Sequence, residues 1–317
     1  MQETSDARMV DRLTFETPAR LPRRTLNFVQ GKCGCRLPLI SFRQDSRLCQ
    51  PNVDSSDVAP FIRWLDWLIV VANRAAFLGV VYKPYWILSD VAIVAVIGFA
   101  WAFSTRFPQV SCLALCVGAL GALLAHKVIR EAKAALGLIA ARSFLQDCLL
   151  IIIPTFIVVS LALAQPLGLV IAFLGLVMPL YGGIVRIGCF LGGCCYGKHW
   201  RGGVSYPPAL FASHNNGFRR YSPGPDPGRR VFPIQLVEAA AQLVLFASLA
   251  RLLWTEPQAS RYLLPLYLAL YASIRFGLDF YRITSARPRY GRFSEAQLVC
   301  LGVLSFASLI LACLYWS

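Results

Sequence analysis

One stretch of seventeen residues, YGGIVRIGCFLGGCCYG at 181–197, places a cation beside an apolar segment, 166–180. Its single charged residue is Arg186. An arginine joined to an apolar run is costly in a bilayer unless it pairs, faces a cavity or reaches the lipid head groups. Glycines permit close backbone approach and unusual turns. The stretch also contains Gly182, Gly183, Gly188, Gly192, Gly193, Gly197, Cys189, Cys194 and Cys195. These residue types favour a site for an anionic lipid head group. A tight inter-helix loop with a snorkelling arginine is the alternative.

A second segment, FPIQLVEA at 232–239, carries Gln235 and Glu238 three residues apart. Pro233 suits the first turn of a helix, and a carboxylate is favourable near a helix N-terminus. Residues at this spacing share one helical face. The pair therefore either contributes to a site or merely caps the helix.

A third segment, YASIRFGLDFYR at 271–282, places Arg275 and Asp279 at i,i+4, with Arg282 about one turn further. Asp279 can pair with one arginine and leave another to bind a phosphate. Because the planar guanidinium binds two phosphate oxygens at once, Arg186 and Arg275 together are suited to clamp a phosphodiester. A structural ion pair inside the membrane is the alternative for Arg275 and Asp279.

The composition predicts an integral membrane protein. Of 317 residues, 57% are hydrophobic and only 15% are charged, too few to cover a soluble protein of this size. The formal charge of +15 comes from basic residues that lie between apolar runs. This distribution favours anionic lipid over nucleic acid as the partner.

Apolar spans of about 17–25 residues, the length that crosses a bilayer, occupy most of the chain after residue 63. We expect an all-α integral membrane protein, a bundle of seven or eight transmembrane helices, within residues 61–317. A polar, poorly ordered tail is expected at 1–60, and a Gly/Pro-rich loop insertion at 198–232. The seven clear spans are 86–104, 110–126, 145–165, 166–185, 234–254, 262–281 and 296–316, and the doubtful one is 64–82, which contains Asp66, Asn73 and Arg74.

Together these residues resemble the prolipoprotein diacylglyceryl transferases, membrane enzymes of bacteria. VRIGCFLGGCCYG looks like the family's arginine-centred signature, and FPIQLVEA is similar to its His-Pro-x-Gln-Leu-Tyr-Glu segment. IRFGLDFYR resembles its Arg-Phe-x-x-Glu-Phe-x-Arg segment, and FSEAQL at 293–298 resembles the start of its last span. The similarity covers about residues 110–316.

The chain departs from the family pattern at several positions, which indicates a divergent branch. Cys189 replaces the signature's asparagine, and Cys194 replaces its acidic residue. Phe232 and Val237 stand where the second segment has His and Tyr. The His-Gly-Gly motif upstream of the signature is missing, and His126 is the single histidine before it.

The resemblance implies transfer of a diacylglyceryl group from phosphatidylglycerol to the thiol of a lipobox cysteine in a prolipoprotein, in the bacterial inner membrane. No metal or other cofactor is implied, and the base that activates the thiol has no candidate. Arg186 and Arg275 would stabilise the phosphate leaving group, with Asp279 orienting Arg275. The residues expected to bind substrate are Gly188, Cys189, Gly193, Gly197, Gln235, Glu238 and Arg282.

The orientation implied by the family opposes the distribution of basic residues. Alternating the spans puts fifteen Lys and Arg residues, those of Lys83, 127–142, 198–232 and 282–293, on one side. The positive-inside rule would make that side cytoplasmic. The family's reaction occurs on the outer face of the inner membrane. We expect the family orientation, because the additional arginines are explicable as a lipid-binding rim.

Three other functions are compatible with the sequence. The chain could be a divergent transferase with another acceptor that uses Cys189 or Cys194 as its own nucleophile. It could also be a catalytically inactive homologue that binds phospholipid and acts as a membrane interaction partner. It could also be a thiol–disulfide protein built on Cys189, Cys194 and Cys195, although a bond between sequence neighbours is strained.

Overall fold

A computed structural model describes residues 59–74, 76–77, 80–81, 84–136, 148–207, 229–283 and 289–316. The predicted tail at 1–60 lies outside these ranges except for its last two residues, as do residues 208–228 of the predicted loop insertion. The described residues form eight α-helices: α1 Pro60–Arg74, α2 Pro84–Arg106, α3 Cys112–Ala135, α4 Ile153–Ala162, α5 Leu167–Leu191, α6 Ile234–Thr255, α7 Leu263–Asp279 and α8 Glu295–Trp316.

The all-α membrane fold is confirmed, and each of the seven clear spans contains one helix. Five helices, α2, α3, α5, α6 and α8, are long and apolar enough to cross a membrane. The other two are shorter. A π-helical turn, Cys148–Ile152, leads into α4 immediately before Pro154, and a 3₁₀ turn, Pro257–Tyr262, leads into the 17 residues of α7.

Short β-structure connects the helices. A two-stranded antiparallel pair, β1 Ala76–Phe77 and β2 Val80–Val81, follows α1. Strand β3, His199–Val204, pairs with Val231 through isolated bridges at both of its ends. A second antiparallel pair, β4 Arg289–Tyr290 and β5 Phe293–Ser294, precedes α8.

Helix α1 explains why the 64–82 span looked doubtful. It has 15 residues, too few to span about 30 Å of hydrocarbon. Its exposed face carries Trp64 and Trp67, whereas Asp66 and Asn73 contact the protein. Asp66 Oδ1 accepts a hydrogen bond from the Ser205 backbone N–H at 2.8 Å, and Asn73 Nδ2 donates to the Leu191 carbonyl at 2.8 Å. Helix α1 is therefore a short amphipathic helix packed on the C-terminal end of α5.

Helix α5 is the central helix of the bundle. More than half of its most apolar stretch is buried inside the protein, compared with about a tenth for α8. Helix α5 packs against α2, α6 and α7. Aromatic rings fill the core beside it, with Phe173 contacting Phe99, Phe103 and Phe156 at centroid distances of 5.9, 5.4 and 5.7 Å. Because lipid tails are as apolar as these side chains, close van der Waals packing of the rings is what stabilises this interior.

The alternating helix directions bring the polar segments to one end of the bundle. Arg186 lies near the C-terminal end of α5, Glu238 near the N-terminal end of α6, and Asp279 at the end of α7. At the opposite end of the bundle, the Ser111 N–H donates a hydrogen bond to Gln165 Oε1 at 2.8 Å. Three polar segments that are distant in sequence therefore meet in space.

Candidate active site

Glu238 is the common partner of three arginines. Arg186 Nη2 lies 3.1 Å from Glu238 Oε1, and Arg275 Nη1 lies 3.5 Å from Glu238 Oε2. Arg282 Nη2 also donates to Oε2. Glu238 is fully buried, so its ionised carboxylate depends on these cations and on the hydrogen bonds around it.

Asp279 supplies a second carboxylate, which pairs with Arg275. Its Oδ1 lies 3.9 Å from Arg275 Nη2, and its Oδ2 accepts a hydrogen bond from Ser294 Oγ. Ser294 also caps α8: its N–H donates to Gln297 Oε1 at 2.9 Å, and the Gln297 N–H donates to Ser294 Oγ at 3.2 Å. This reciprocal capping box ties the start of α8 to the orientation of Asp279.

We call Arg186, Arg275, Arg282, Glu238 and Asp279 the arginine cluster. The cluster carries a net charge of +1, because three cations face two carboxylates. Burial, followed by the proximity of Arg275, lowers the pKa of Arg282 to about 10, so Arg282 remains a cation at neutral pH. A buried group of this composition attracts an anion.

Arg186 is the member of the cluster that is most accessible. Its side chain is 16% exposed, compared with 6% for Arg275 and 4% for Arg282. The helix α5 that was predicted to end at 185 continues to Leu191, so Arg186 and Cys189 share one helical face, as their spacing suggested. An anion that enters the cluster therefore meets Arg186 first.

Tyr271 is a further site residue, which the sequence analysis did not predict. Its hydroxyl donates to Glu238 Oε1 at 2.8 Å, and its ring stacks on Tyr267 with centroids 5.6 Å apart. The Tyr267 hydroxyl donates in turn to Gln242 Oε1 at 3.2 Å. The signal was present, because Tyr271 lies four residues before Arg275 on the same helical face.

Gln235 binds the turn that follows α5. Its Nε2 donates to the Cys194 carbonyl at 2.7 Å and lies 3.5 Å from the Tyr206 hydroxyl. The Tyr206 hydroxyl itself donates to the Phe190 carbonyl at 2.9 Å. Gln235 thus fixes the Gly193–Gly197 turn beside Glu238, which lies one helical turn further along α6.

The predicted substrate-binding glycines lie in tight packing. A Cβ at Gly188 would lie 3.0 Å from the Leu88 Cβ, and a Cβ at Gly197 would lie 2.8 Å from the Phe232 carbonyl oxygen. Gly193 has a φ of +69°, a left-handed conformation that favours glycine. Neighbouring protein atoms therefore occupy the space beside the backbone at Gly188 and Gly197.

Cys189 and Cys194 lie beside the cluster as buried thiols that form no disulfide bond. Cys194 Sγ lies 3.7 Å from the Cys189 carbonyl oxygen. Hydrogen bonds with the Cys189 and Cys195 side chains, together with burial, raise the pKa of Cys194 well above its usual range. A protonated thiol is a poor nucleophile, which argues against Cys194 as a nucleophile in its own right.

The arginine cluster contains no histidine and only two carboxylates. Within the described ranges, no group of three or more His, Cys, Asp or Glu side chains could hold a metal ion. His126 belongs to α3, a helix that contributes no residue to the arginine cluster.

Comparison of the sequence with known protein families assigns the chain to one of them. The sequence model of the prolipoprotein diacylglyceryl transferase family matches residues 143–313, which is more than half of the chain and contains every member of the arginine cluster. A search of curated protein sequences gives no significant match. The chain therefore belongs to the prolipoprotein diacylglyceryl transferase family, and its role is that of a membrane transferase in lipoprotein biogenesis.

Proposed function

We propose that this protein transfers a diacylglyceryl group from phosphatidylglycerol to the thiol of a lipobox cysteine in a prolipoprotein. The observation that carries the proposal is the arginine cluster, in which three arginines converge on Glu238 and, with Asp279 also counted, one positive charge is in excess. A buried excess of guanidinium groups suits a phosphodiester, whose oxygens accept from the planar fork in pairs.

In this reaction the thiol sulfur attacks the glyceryl carbon, and the bond from that carbon to the phosphate oxygen breaks. Glycerol phosphate leaves with the electron pair of the broken C–O bond and so gains a negative charge, and the thiol proton is released to water. Arg186 and Arg275 lie where they can stabilise that charge, because both already contact the same buried carboxylate. Preorganised donors of this kind act mainly on the transition state.

Glu238 and Asp279 act as positioning residues in this account. Glu238 shares its two oxygens among three arginines and Tyr271, so no free lone pair is left for a proton taken from a thiol. Asp279 is engaged by Arg275 and Ser294. We therefore assign the charged residues of the cluster to binding and electrostatic stabilisation, and none of them to the role of base.

From the family's reaction we propose that the cluster lies at the outer face of the bacterial inner membrane, and the structure supports a position at the membrane–water interface. The amphipathic helix α1 packs at the same end of the bundle as the cluster, with Trp64 and Trp67 exposed. Tryptophan is enriched where membrane and water meet. An alkaline phosphatase or fluorescent reporter fused after the 198–232 loop tests the orientation: we expect activity outside the cytoplasm, and cytoplasmic activity would refute it.

A second function, phospholipid binding without catalysis, is favoured by the missing His-Gly-Gly motif. Complementation of a bacterial strain depleted of its own diacylglyceryl transferase separates the two. We expect this chain to restore growth and lipoprotein maturation, and Arg275→Ala to insert normally but fail. Failure of the well-expressed wild-type chain would favour the binding function.

A further inference from the structure

Two buried polar atoms, one next to the arginine cluster and one within it, lack a hydrogen-bond partner among the described residues. They are the acceptor Oε1 of Gln235 and the donor Nε of Arg282. The Gln235 side chain is fully buried, and Arg282 is 3% exposed. Native proteins rarely leave such atoms unpaired. A bound ligand with both a donor and an acceptor would satisfy the two atoms.

The orientation of the Gln235 amide is fixed by its neighbours. Its Nε2 donates to the Cys194 carbonyl at 2.7 Å, and turning the amide over would place two acceptor oxygens against each other. The Tyr206 hydroxyl is committed as a donor to the Phe190 carbonyl, so it accepts from Gln235 rather than donating to it. The unpaired atom is therefore an acceptor.

Both residues contact the same short turn, Gln235 through its side-chain amide and Arg282 through its backbone. Gln235 holds the carbonyl of Cys194 at the start of that turn, and Arg282 forms a backbone bridge with Gly197 at its end. Glu238, which receives a hydrogen bond from Arg282, shares the helical face of Gln235. A ligand at the turn would thus meet a cationic donor on one side and a neutral acceptor on the other.

We propose that Gln235 is a specificity residue that accepts a hydrogen bond from a free hydroxyl on the lipid head group, next to the phosphate that Arg282 contacts. The inference rests on the proposed function in one respect, since it requires a phospholipid in the arginine cluster. An ammonium head group would also donate to Gln235. It is disfavoured because the cluster already carries a net positive charge. A methyl head group offers no donor and leaves Oε1 unpaired.

The test compares lipids that differ only in the head group. Native mass spectrometry of the detergent-purified chain measures binding of phosphatidylglycerol, phosphatidylmethanol and phosphatidylethanolamine with identical acyl chains. We expect the wild-type chain to bind phosphatidylglycerol about tenfold more tightly than phosphatidylmethanol, equivalent to about 1.4 kcal/mol, and phosphatidylethanolamine most weakly. Equal affinity for the first two lipids would overturn the proposal, because water would then satisfy Gln235 equally well.

Two variants test whether Gln235 causes the preference for phosphatidylglycerol. Gln235→Leu should bind both anionic lipids with the same affinity. The matched control is Gln242→Leu, a buried glutamine of the same helix whose Oε1 is already paired with Tyr267, and it should keep the wild-type ratio. A preference that survives in Gln235→Leu would contradict the proposal.

If Gln235→Leu does not fold, the wild-type comparison still tests the proposal, because equal binding of phosphatidylglycerol and phosphatidylmethanol overturns it. Because no thiol acceptor is present, the binding result is independent of transfer. A hydroxyl preference in a chain that never transfers a lipid would support this inference and refute the proposed activity.

Discussion

Arg186 of α5 and Glu238 of α6 form an ion pair with 3.1 Å between Nη2 and Oε1. The partially exposed arginine is thereby anchored to a carboxylate that is fully buried. Two further arginines reach the same carboxylate from α7 and from the segment after it. Glu238 therefore organises the end of the bundle where the proposed transfer takes place.

Replacing Glu238 by glutamine should destabilise the chain. The substitution leaves three buried arginines opposite one remaining carboxylate, and breaking a buried ion pair typically costs about 3–5 kcal/mol. Thermal unfolding in detergent should show a clearly lower midpoint for Glu238→Gln. Glu256→Gln, at the exposed end of α6, is the control and should match wild type. An unchanged midpoint in Glu238→Gln would mean that Glu238 does not hold the cluster together.

Arg186→Lys should reduce transfer by about 100-fold, because lysine keeps the charge but loses the fork that stabilises the leaving phosphate. The rate of lipid transfer to a cysteine peptide measures this. Arg251→Lys changes an exposed arginine in the second half of α6 and should retain full activity. Wild-type rates in Arg186→Lys would show that charge alone, rather than paired donation, is sufficient.

Ser294→Ala should lower both stability and activity, whereas Ser294→Thr should preserve them. Alanine removes the α8 cap, which costs about 1 kcal/mol, and also the hydrogen bond to Asp279. Threonine keeps the hydroxyl. Unfolding midpoints and transfer rates of both variants form the measurement. Equal behaviour of the alanine and threonine variants would remove Ser294 from the account.

Gly197→Ala should destabilise the protein strongly. The added Cβ would lie 2.8 Å from the Phe232 carbonyl oxygen and 2.9 Å from the Tyr281 carbonyl oxygen. These oxygens accept the Gly197 and Lys198 N–H groups, so neither can retreat freely. Gly277→Ala is the matched control: its Cβ meets nothing within 4 Å, and alanine in a helix gains up to about 1 kcal/mol. Chemical denaturation should therefore move the two variants in opposite directions.

Cys189→Ser and Cys194→Ser should keep transfer rates within about threefold of wild type, because the acceptor thiol is then the single nucleophile. Kinetic assays with a cysteine peptide decide this point. Loss of activity in either variant, with the fold intact by circular dichroism, would instead favour a nucleophile supplied by the chain itself.

The helices could be predicted from the sequence because apolar length is a strong local signal. Every clear span contains a helix, and the 64–82 span is doubtful for a physical reason: Asp66 and Asn73 face the protein from a helix of 15 residues. The end of α5 was placed too early. The span was ended at 185, with a tight loop as the alternative for Arg186 and its glycines, whereas packing against α2 and α6 keeps the helix intact to Leu191.

The site was less predictable, because its contacts join distant segments. The spacing of Arg275 and Asp279 suggested a simple pair, but these side chains are 3.9 Å apart, and Arg275 also reaches Glu238 at 3.5 Å. Neither the shared role of Glu238 nor the contact of Ser294 with Asp279 has a local signature. Both depend on how α6, α7 and α8 approach one another.

The most direct measurement uses the purified protein in phosphatidylglycerol-containing vesicles with a lipobox cysteine peptide. Mass spectrometry should detect peptide carrying a diacylglyceryl thioether, together with an equal amount of released glycerol phosphate, and Arg275→Ala should produce neither. A folded wild-type protein that binds phosphatidylglycerol but leaves the peptide thiol unmodified would contradict the proposed transfer.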